Sequence, residues 1–184
     1  MILTTHRFAN SLTIFRATIC MTILLNLQHH HRSWAWIFLL LGGITDILDG
    51  VIIRKAEKSS IWGATIDPLT DKLLVFVPII WLTYQGVLPI CAIWGLLARE
   101  LLISTWRGNQ RNGGPASRIG KYKTVVQFTS LLLLIFPVTW FKTSVVFFFH
   151  GLGWLLFWFS MILGLYSAFE YLVPRLNQKR ASNL

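Results

Sequence analysis

The stretch DILDGVIIRKAEKSSIWGATIDPLTD, residues 46–71, holds five of the seven acidic residues in a chain of 184, and four of the five are aspartates. Asp46 and Asp49 are three residues apart, Asp67 and Asp71 are four apart, and each pair adjoins an apolar segment. On a helix, both spacings place the two side chains on one face. Carboxylates in or beside a bilayer are costly unless they meet cations, so the stretch predicts a metal site between two helix ends.

The composition around this stretch is that of a membrane protein. Hydrophobic residues make up 54% of the chain and charged residues 13%, with nine Trp and 13 Phe, which is too apolar for a water-soluble domain. A helix needs about 20 apolar residues to cross a bilayer. We therefore predict an all-α integral membrane protein with a single domain over residues 1–184. Its six predicted transmembrane helices are 9–28, 33–53, 67–86, 88–106, 123–141 and 145–173.

The Lys and Arg residues are distributed unevenly between the predicted loops. With six spans, the two termini and the 54–66 and 107–122 loops share one side, which holds most of the basic residues, whereas the opposite side has Arg32 and Lys142. The positive-inside rule then places both termini, and the aspartates, at the cytoplasmic side of a bacterial cell membrane. A basic face attracts anionic lipid headgroups and anionic soluble substrates, and we expect no nucleic-acid partner.

An antiparallel hairpin of the second and third spans would bring the four carboxylates together. Hard anionic oxygens suit Mg²⁺ or Mn²⁺ better than they suit softer metals. Gly50 and Gly63 leave room beside the carboxylates for a bulky ligand. Arg54 lies one turn beyond Gly50, where its planar guanidinium can bind a phosphate.

Written as a pattern, the stretch is D-x2-D-G-x2-I-R-x8-G-x3-D-x3-D. It resembles the signature of the CDP-alcohol phosphotransferase family at seven of eight fixed positions, the exception being Ile53, where the family has Ala. The resemblance implies a membrane enzyme of six helices, usually a homodimer. Such an enzyme transfers a phosphatidyl-type group from a CDP-linked donor to an alcohol and releases CMP.

The resemblance also implies a role for each residue of the pattern. The implied ligands of two divalent cations, Mg²⁺ or Mn²⁺, are Asp46, Asp49, Asp67 and Asp71. Asp71 would also be the catalytic general base. The residues implied to bind the CDP group are Asp49, Gly50, Arg54, Gly63, Asn10 and Thr13.

Four further segments resemble the phosphatidylglycerophosphate synthases, the branch of the family that uses CDP-diacylglycerol and glycerol 3-phosphate. They are residues 10–16, 66–74, 98–107 and 119–127. A dianionic acceptor needs fixed cations near the metal site, and an intramembrane Arg is a functional-site candidate by default. The candidate acceptor-phosphate residues are Arg99, Arg107, Arg118, Lys121 and Lys123.

Several of these residues have a simpler interpretation. Arg99 could pair with Glu100, because a buried charge needs a partner. Lys121 and Lys123 could anchor the fifth helix at the membrane surface. Arg16 could serve the phosphate site or extend to the interface.

Two other functions are alternatives to the hypothesis that glycerol 3-phosphate is the acceptor. A cardiolipin synthase of the same fold would use phosphatidylglycerol as acceptor, and the dense basic set at 99–123 disfavours it. An ion or metal transporter could also place carboxylates inside a bundle. A transport pathway should continue across the membrane, however, and spans four to six offer only Glu100 and Glu170 as further acids.

Overall fold

Six helices make up the described part of the chain in the computed structural model. Backbone is described for residues 2–52, 61–108 and 118–181, and side chains for 15–46, 72–103, 119–120 and 122–169. The helices are α1 (Ile2–Gln28), α2 (Arg32–Ile52), α3 (Ile61–Tyr84), α4 (Ile90–Gly108), α5 (Arg118–Leu134) and α6 (Thr143–Ala181). These ranges contain helices and no strand, which confirms the all-α prediction.

Left-handed residues end two of the helices. Gly86 has φ +74°, and beyond it the Val87 N–H donates to the carbonyl of Leu82 at 2.9 Å, the arrangement of a Schellman cap with Gly at its left-handed position. His30 takes the same role after α1 with φ 59°, and the His31 N–H donates to the Asn26 carbonyl at 2.8 Å. Both caps turn the chain sharply, so α1 with α2 and α3 with α4 form tight hairpins.

The fifth helix ends earlier than the hydropathy of the sequence predicted. We expected the span to continue to residue 141, but α5 ends at Leu134, and that boundary was wrong. Pro137 has no N–H and cannot continue a helix. The following residues instead form an aromatic turn, in which Phe136 packs edge-on against Trp36 and Trp140. The sixth helix, in contrast, runs unbroken through Gly164 to Ala181.

The same end of the bundle is held together by aromatic and hydrogen-bonded contacts between helix ends. The Trp36 indole N–H donates to the Leu132 carbonyl at 2.9 Å, and His150 Nε2 lies 3.1 Å from the Phe136 carbonyl oxygen. The Arg32 guanidinium lies 5.2 Å from the centre of the Trp81 ring. The start of α2, the end of α3, the end of α5 and the start of α6 therefore meet here, which we call the aromatic end.

The interior is a single apolar core, and α5 packs most extensively against α6. Ile23, Leu27, Leu39, Leu82 and Phe157 are among its completely buried side chains. Close approach of α5 and α6 depends on Gly153, where an added Cβ would lie 3.0 Å from the Ser130 carbonyl oxygen and 2.9 Å from the Leu133 Cβ. Small residues allow this kind of close helix packing in lipid.

The outer surface of the bundle is apolar. Large side chains on α4 and α6 point outward, with Trp94 70% and Phe147 80% exposed; a continuous apolar surface of this kind is expected where a protein faces lipid. Among the described residues, the segment Thr143–Phe169 is long and apolar enough to cross a membrane, and Lys72–Tyr84 is a shorter apolar stretch. The number of spans and their orientation stay predictions.

Two glycines on α6 allow a direct test of the helix packing. Gly153→Ala should lower the free energy of unfolding by about 1–2 kcal/mol, because its Cβ would press on the backbone of α5. Gly151→Ala is the matched control, since nothing lies within 4 Å of its added Cβ, and it should be neutral or stabilising by up to ~1 kcal/mol. Denaturant unfolding in detergent micelles measures both. Equal effects of the two substitutions would contradict the described packing.

Candidate active site

Of the four predicted metal ligands, the structure describes the side chain of Asp46 and the backbone of the other three. Asp46 lies in the last two turns of α2, and its side chain is described. Asp49 also lies on α2, and Asp67 and Asp71 lie on α3. The backbones at these positions are helical, which is the local structure that the three- and four-residue spacings require. The side chains and segments that lie outside the described residues are those of Asn10, Thr13, Asp49, Gly50, Arg54, Gly63, Asp67, Asp71, Arg107, Arg118 and Lys121.

Arg16 is buried on α1 and pairs with the first of these aspartates. Its Nη2 lies 3.4 Å from Asp46 Oδ1, and its side chain is 7% exposed whereas that of Asp46 is 44% exposed. The Arg16 side chain is therefore buried within the bundle, which favours the first of the two interpretations that the sequence left open, a place beside the phosphate site. The guanidinium ties α1 to α2 and leaves much of the Asp46 carboxylate accessible.

A second charged cluster joins three helices. Arg99 Nη1 on α4 donates to Glu100 Oε1 at 2.5 Å, and Lys123 Nζ on α5 donates to the same oxygen at 2.7 Å. Arg99 Nε also donates to the Gly164 carbonyl of α6 at 3.4 Å. We call Arg99, Glu100 and Lys123 the cation cluster. Their side chains are 13%, 22% and 5% exposed respectively, so the cluster is largely shielded from solvent.

The cation cluster carries more positive than negative charge. Two cations share the Glu100 carboxylate, and Lys72, midway along α3, is close enough to repel Lys123 electrostatically. Arg99 and Lys123 also have more N–H donors than the three that contact described residues, Glu100 and Gly164. A buried site with surplus positive charge and surplus donors is suited to an anion such as a phosphate.

Both charged groups lie at the end of the bundle opposite the aromatic end. Asp46 is at the far end of α2 from Trp36, and Lys123 is at the far end of α5 from Leu132. Between them, Gly43 packs against the Phe128 ring, which brings α2 and α5 together at this level. The predicted acids and the predicted acceptor-phosphate cations therefore share one end of the molecule.

The simpler interpretation of Lys123 as an anchor at the surface is wrong, because its side chain is buried. The simpler interpretation of Arg99 as a partner of Glu100 is confirmed in part. Arg99 does pair with Glu100, but the pair is part of a larger cluster. The sequence analysis named Glu100 only as a possible partner of Arg99 and missed its contact with Lys123, although the presence of one acid among many bases in 98–123 was a usable signal. Arg16 was left open, and its contact with Asp46 depends on how α1 packs against α2.

The described side chains contain no group of three or more His, Cys, Asp or Glu that could hold a metal ion. Asp46 is the member of the predicted ligand set that falls among them. Its partly accessible carboxylate is a hard oxygen donor of the kind that Mg²⁺ prefers. The donor chemistry of this position therefore fits a divalent cation.

Comparison with known proteins identifies the family. The sequence model of the CDP-alcohol phosphatidyltransferases matches residues 6–166, which include both charged groups. The chain belongs to the CDP-alcohol phosphatidyltransferase family. The resemblance drawn from the pattern at 46–71 is thus confirmed, and the match extends through α6 as far as Tyr166.

Relatives of this chain carry two kinds of name. A "probable phosphatidylglycerophosphate synthase" of Mycobacterium tuberculosis is 34% identical over 139 residues, covering 71% of this chain and 66% of that protein. A CDP-diacylglycerol--glycerol-3-phosphate 3-phosphatidyltransferase of Rickettsia felis is 30% identical over 168 residues, 88% of this chain and 91% of that protein. A CMP-forming cardiolipin synthase of Streptomyces coelicolor is 32% identical over 140 residues, 71% of this chain and 65% of that protein. The chain thus spans slightly less than two thirds of the length of the first and third of these relatives.

The charge balance of the cation cluster predicts an order of stabilities. Glu100→Gln leaves Arg99 and Lys123 facing each other without a counter-charge, and should lower the free energy of unfolding by about 2–4 kcal/mol. Lys123→Met leaves a balanced Arg99 and Glu100 pair and fills the space with an apolar side chain, so its cost should be about 1 kcal/mol or less. Unfolding in detergent micelles gives both values. A larger loss of unfolding free energy for Lys123→Met than for Glu100→Gln would show that surplus positive charge does not determine the stability of the cluster.

Proposed function

We propose that this enzyme transfers the phosphatidyl group of CDP-diacylglycerol to sn-glycerol 3-phosphate, giving phosphatidylglycerophosphate and CMP. The observation that carries the proposal is the cation cluster, in which two largely buried cations share one carboxylate. Glycerol 3-phosphate brings a compact dianion that compensates this excess charge. Phosphatidylglycerol, the acceptor of a cardiolipin synthase, offers only the diester phosphate of a lipid.

The names of the relatives support the same acceptor. The Mycobacterium tuberculosis and Rickettsia felis proteins are named for the synthesis of phosphatidylglycerophosphate or for transfer to glycerol 3-phosphate. The name of the Streptomyces coelicolor relative supports the alternative, a cardiolipin synthase. Charge at the acceptor site is the physical feature that separates the two.

Asp46, Asp49, Asp67 and Asp71 are the proposed ligands of two divalent cations, Mg²⁺ or Mn²⁺. When bound, such cations neutralise the pyrophosphate of the donor and stabilise the charge that develops during displacement. Arg16 would hold the Asp46 carboxylate in place from α1. Asn10, Thr13, Gly50, Arg54 and Gly63 are the proposed contacts of the CDP group.

The chain's own residues then carry out proton transfer and orientation. Arg99 and Lys123, with Arg107, Arg118 and Lys121, would bind the acceptor phosphate and aim its free hydroxyl at the phosphorus that bears the diacylglycerol. Asp71 takes the hydroxyl proton as the new oxygen–phosphorus bond forms. The pyrophosphate bond breaks on the opposite side, and CMP leaves with the electron pair.

The proposed setting is the cell membrane, with six spans and the active site at the cytoplasmic end. Support comes from the family, from the apolar exterior of α4 and α6, and from the concentration of Lys and Arg in loops on one side. Arg32 and Lys142 would lie on the outer side, with the aromatic end. The homodimer that the resemblance implies is part of the same proposal.

Acceptor identity can be tested with purified protein in micelles containing CDP-diacylglycerol and Mg²⁺. Glycerol 3-phosphate, phosphatidylglycerol, inositol phosphate and serine are offered in parallel, and CMP release is measured. We expect glycerol 3-phosphate to give the highest kcat/KM. Preference for phosphatidylglycerol would replace this proposal with cardiolipin synthesis.

Neutralising the cation cluster should weaken acceptor use selectively. Arg99→Met and Lys123→Met each remove a charge-assisted phosphate contact, worth about 1.5–3 kcal/mol or roughly 10- to 150-fold in kcat/KM for glycerol 3-phosphate. The KM for CDP-diacylglycerol should change little. Lys142→Met is the control, because that exposed Lys lies at the aromatic end. Equal losses toward both substrates would argue against an acceptor role.

The metal-site assignment makes a separate prediction about the aspartates. Removing divalent cations with a chelator should abolish CMP release, and added Mg²⁺ or Mn²⁺ should restore it. Asp46→Asn and Asp67→Asn should be inactive and bind the metal weakly. Asp71→Asn should still bind CDP-diacylglycerol but turn over ~10²–10⁴-fold more slowly, the usual contribution of a general base. Full activity in Asp71→Asn would remove that residue from the base role.

A further inference from the structure

The buried face of α6 carries a row of mostly small residues. Gly153, Phe157, Ser160, Gly164 and Ser167 recur at intervals of four and three residues, and the structure buries each of them. This interval keeps side chains on one helical face. The row faces α5, which runs antiparallel to α6, so Gly153 lies level with Leu134 and Gly164 lies level with Lys123.

The two glycines of this row meet different neighbours. An added Cβ at Gly153 would press on backbone atoms, Ser130 O and Leu134 N, both at 3.0 Å. At Gly164 the neighbours are the cations, with Lys123 Cε at 3.4 Å, Lys123 Cγ at 3.7 Å and Arg99 Nε at 3.8 Å. Gly153 therefore permits two helices to approach, whereas Gly164 borders two charged side chains.

Gly164 also contributes its carbonyl oxygen to the cation cluster. Arg99 Nε donates to it at 3.4 Å while Nη1 of the same guanidinium donates to Glu100. Two bonds on different edges of the guanidinium restrict its rotation. The Lys123 side chain passes alongside, and its Nζ reaches the same Glu100 oxygen as Arg99. The bare Cα at 164 is where these two long side chains run next to each other.

We propose that Gly164 is a positioning residue for the acceptor site: its missing side chain and its carbonyl together set where the Arg99 and Lys123 charges are held. The inference rests on the proposed function and assigns to α6 a part in acceptor binding. A Lys side chain is flexible and yields readily to a crowding neighbour. A side chain at 164 would therefore displace the cations while leaving the backbone contacts of α5 and α6 in place.

The test compares Gly164→Leu and Gly164→Ala with the matched control Gly151→Leu. Gly151 lies on the same helix, and nothing is within 4 Å of its added Cβ. We expect Gly164→Leu to raise the KM for glycerol 3-phosphate by roughly 10-fold or more, the scale of one displaced phosphate contact, with the KM for CDP-diacylglycerol within about 2-fold of wild type. Gly164→Ala should raise the acceptor KM by about 2- to 5-fold, and Gly151→Leu should change neither KM.

Binding of inorganic phosphate, measured by calorimetry on the same proteins, separates this inference from the proposed function. If wild-type protein does not turn over glycerol 3-phosphate, the proposed function fails, and weaker phosphate binding in the Gly164 variants alone would still support the positioning role. Absence of phosphate binding by wild-type protein overturns that role. The role is also overturned if both Gly164 variants have the same KM for glycerol 3-phosphate as Gly151→Leu. It is overturned as well if the KM for glycerol 3-phosphate and the KM for CDP-diacylglycerol rise equally.

If Gly164→Leu does not fold, Gly164→Ala decides the question. Its Cβ would lie 3.4 Å from Lys123 Cε, at the near edge of ordinary van der Waals contact, so the variant should fold with at most a small movement of that flexible side chain. A folded Gly164→Ala protein with wild-type acceptor KM and wild-type phosphate affinity contradicts the inference. A selective loss of acceptor affinity in that variant supports it.

Discussion

Charge inside an apolar bundle has to be compensated at contact distance, because the surrounding side chains offer no other stabilisation. In this protein the Glu100 carboxylate meets that requirement for Arg99 and Lys123, and so ties α4 to α5. The same guanidinium reaches the backbone of α6 at Gly164. Three helices are therefore joined by the Glu100 carboxylate and the Arg99 guanidinium, at the end of the molecule where the predicted metal ligands also lie.

The two ends of the bundle are held by different forces. At the aromatic end, Trp36, Phe136 and Trp140 pack edge to face, and the Arg32 charge lies against the Trp81 ring. Such contacts tolerate an interface between lipid and water because aromatic rings are apolar with a polar edge. At the opposite end the described residues are joined by ion pairs and by the hydrogen bond from Arg99 to the Gly164 carbonyl. The contacts at the aromatic end thus hold the helix ends together. The opposite end concentrates charge, at the place proposed for a phosphate-bearing substrate.

Within the part of the chain whose side chains are described, the cation cluster has two cations and one carboxylate, whereas an ordinary structural ion pair has one of each. A structural pair is most stable when balanced, and an extra buried cation costs free energy. Retaining Lys123 beside a pair that Arg99 and Glu100 could form alone is a stability cost that an anionic ligand would offset. The chain belongs to the CDP-alcohol phosphatidyltransferase family, and under the proposed function the surplus charge would bind the phosphate of the acceptor.

The family, the all-α fold and the helical spacing of the aspartates could be predicted from the sequence, because each depends on short-range patterns: carboxylates three or four residues apart share a helical face wherever the helix is placed. The sequence also predicted a role for the bases in 99–123. It could not show which of these bases are buried or which oxygen they share, because Arg99, Lys123 and Gly164 are far apart in the chain and meet through helix packing. The early end of α5 likewise followed from Pro137 and from aromatic contacts with α2, whereas the hydropathy of the segment continued past it.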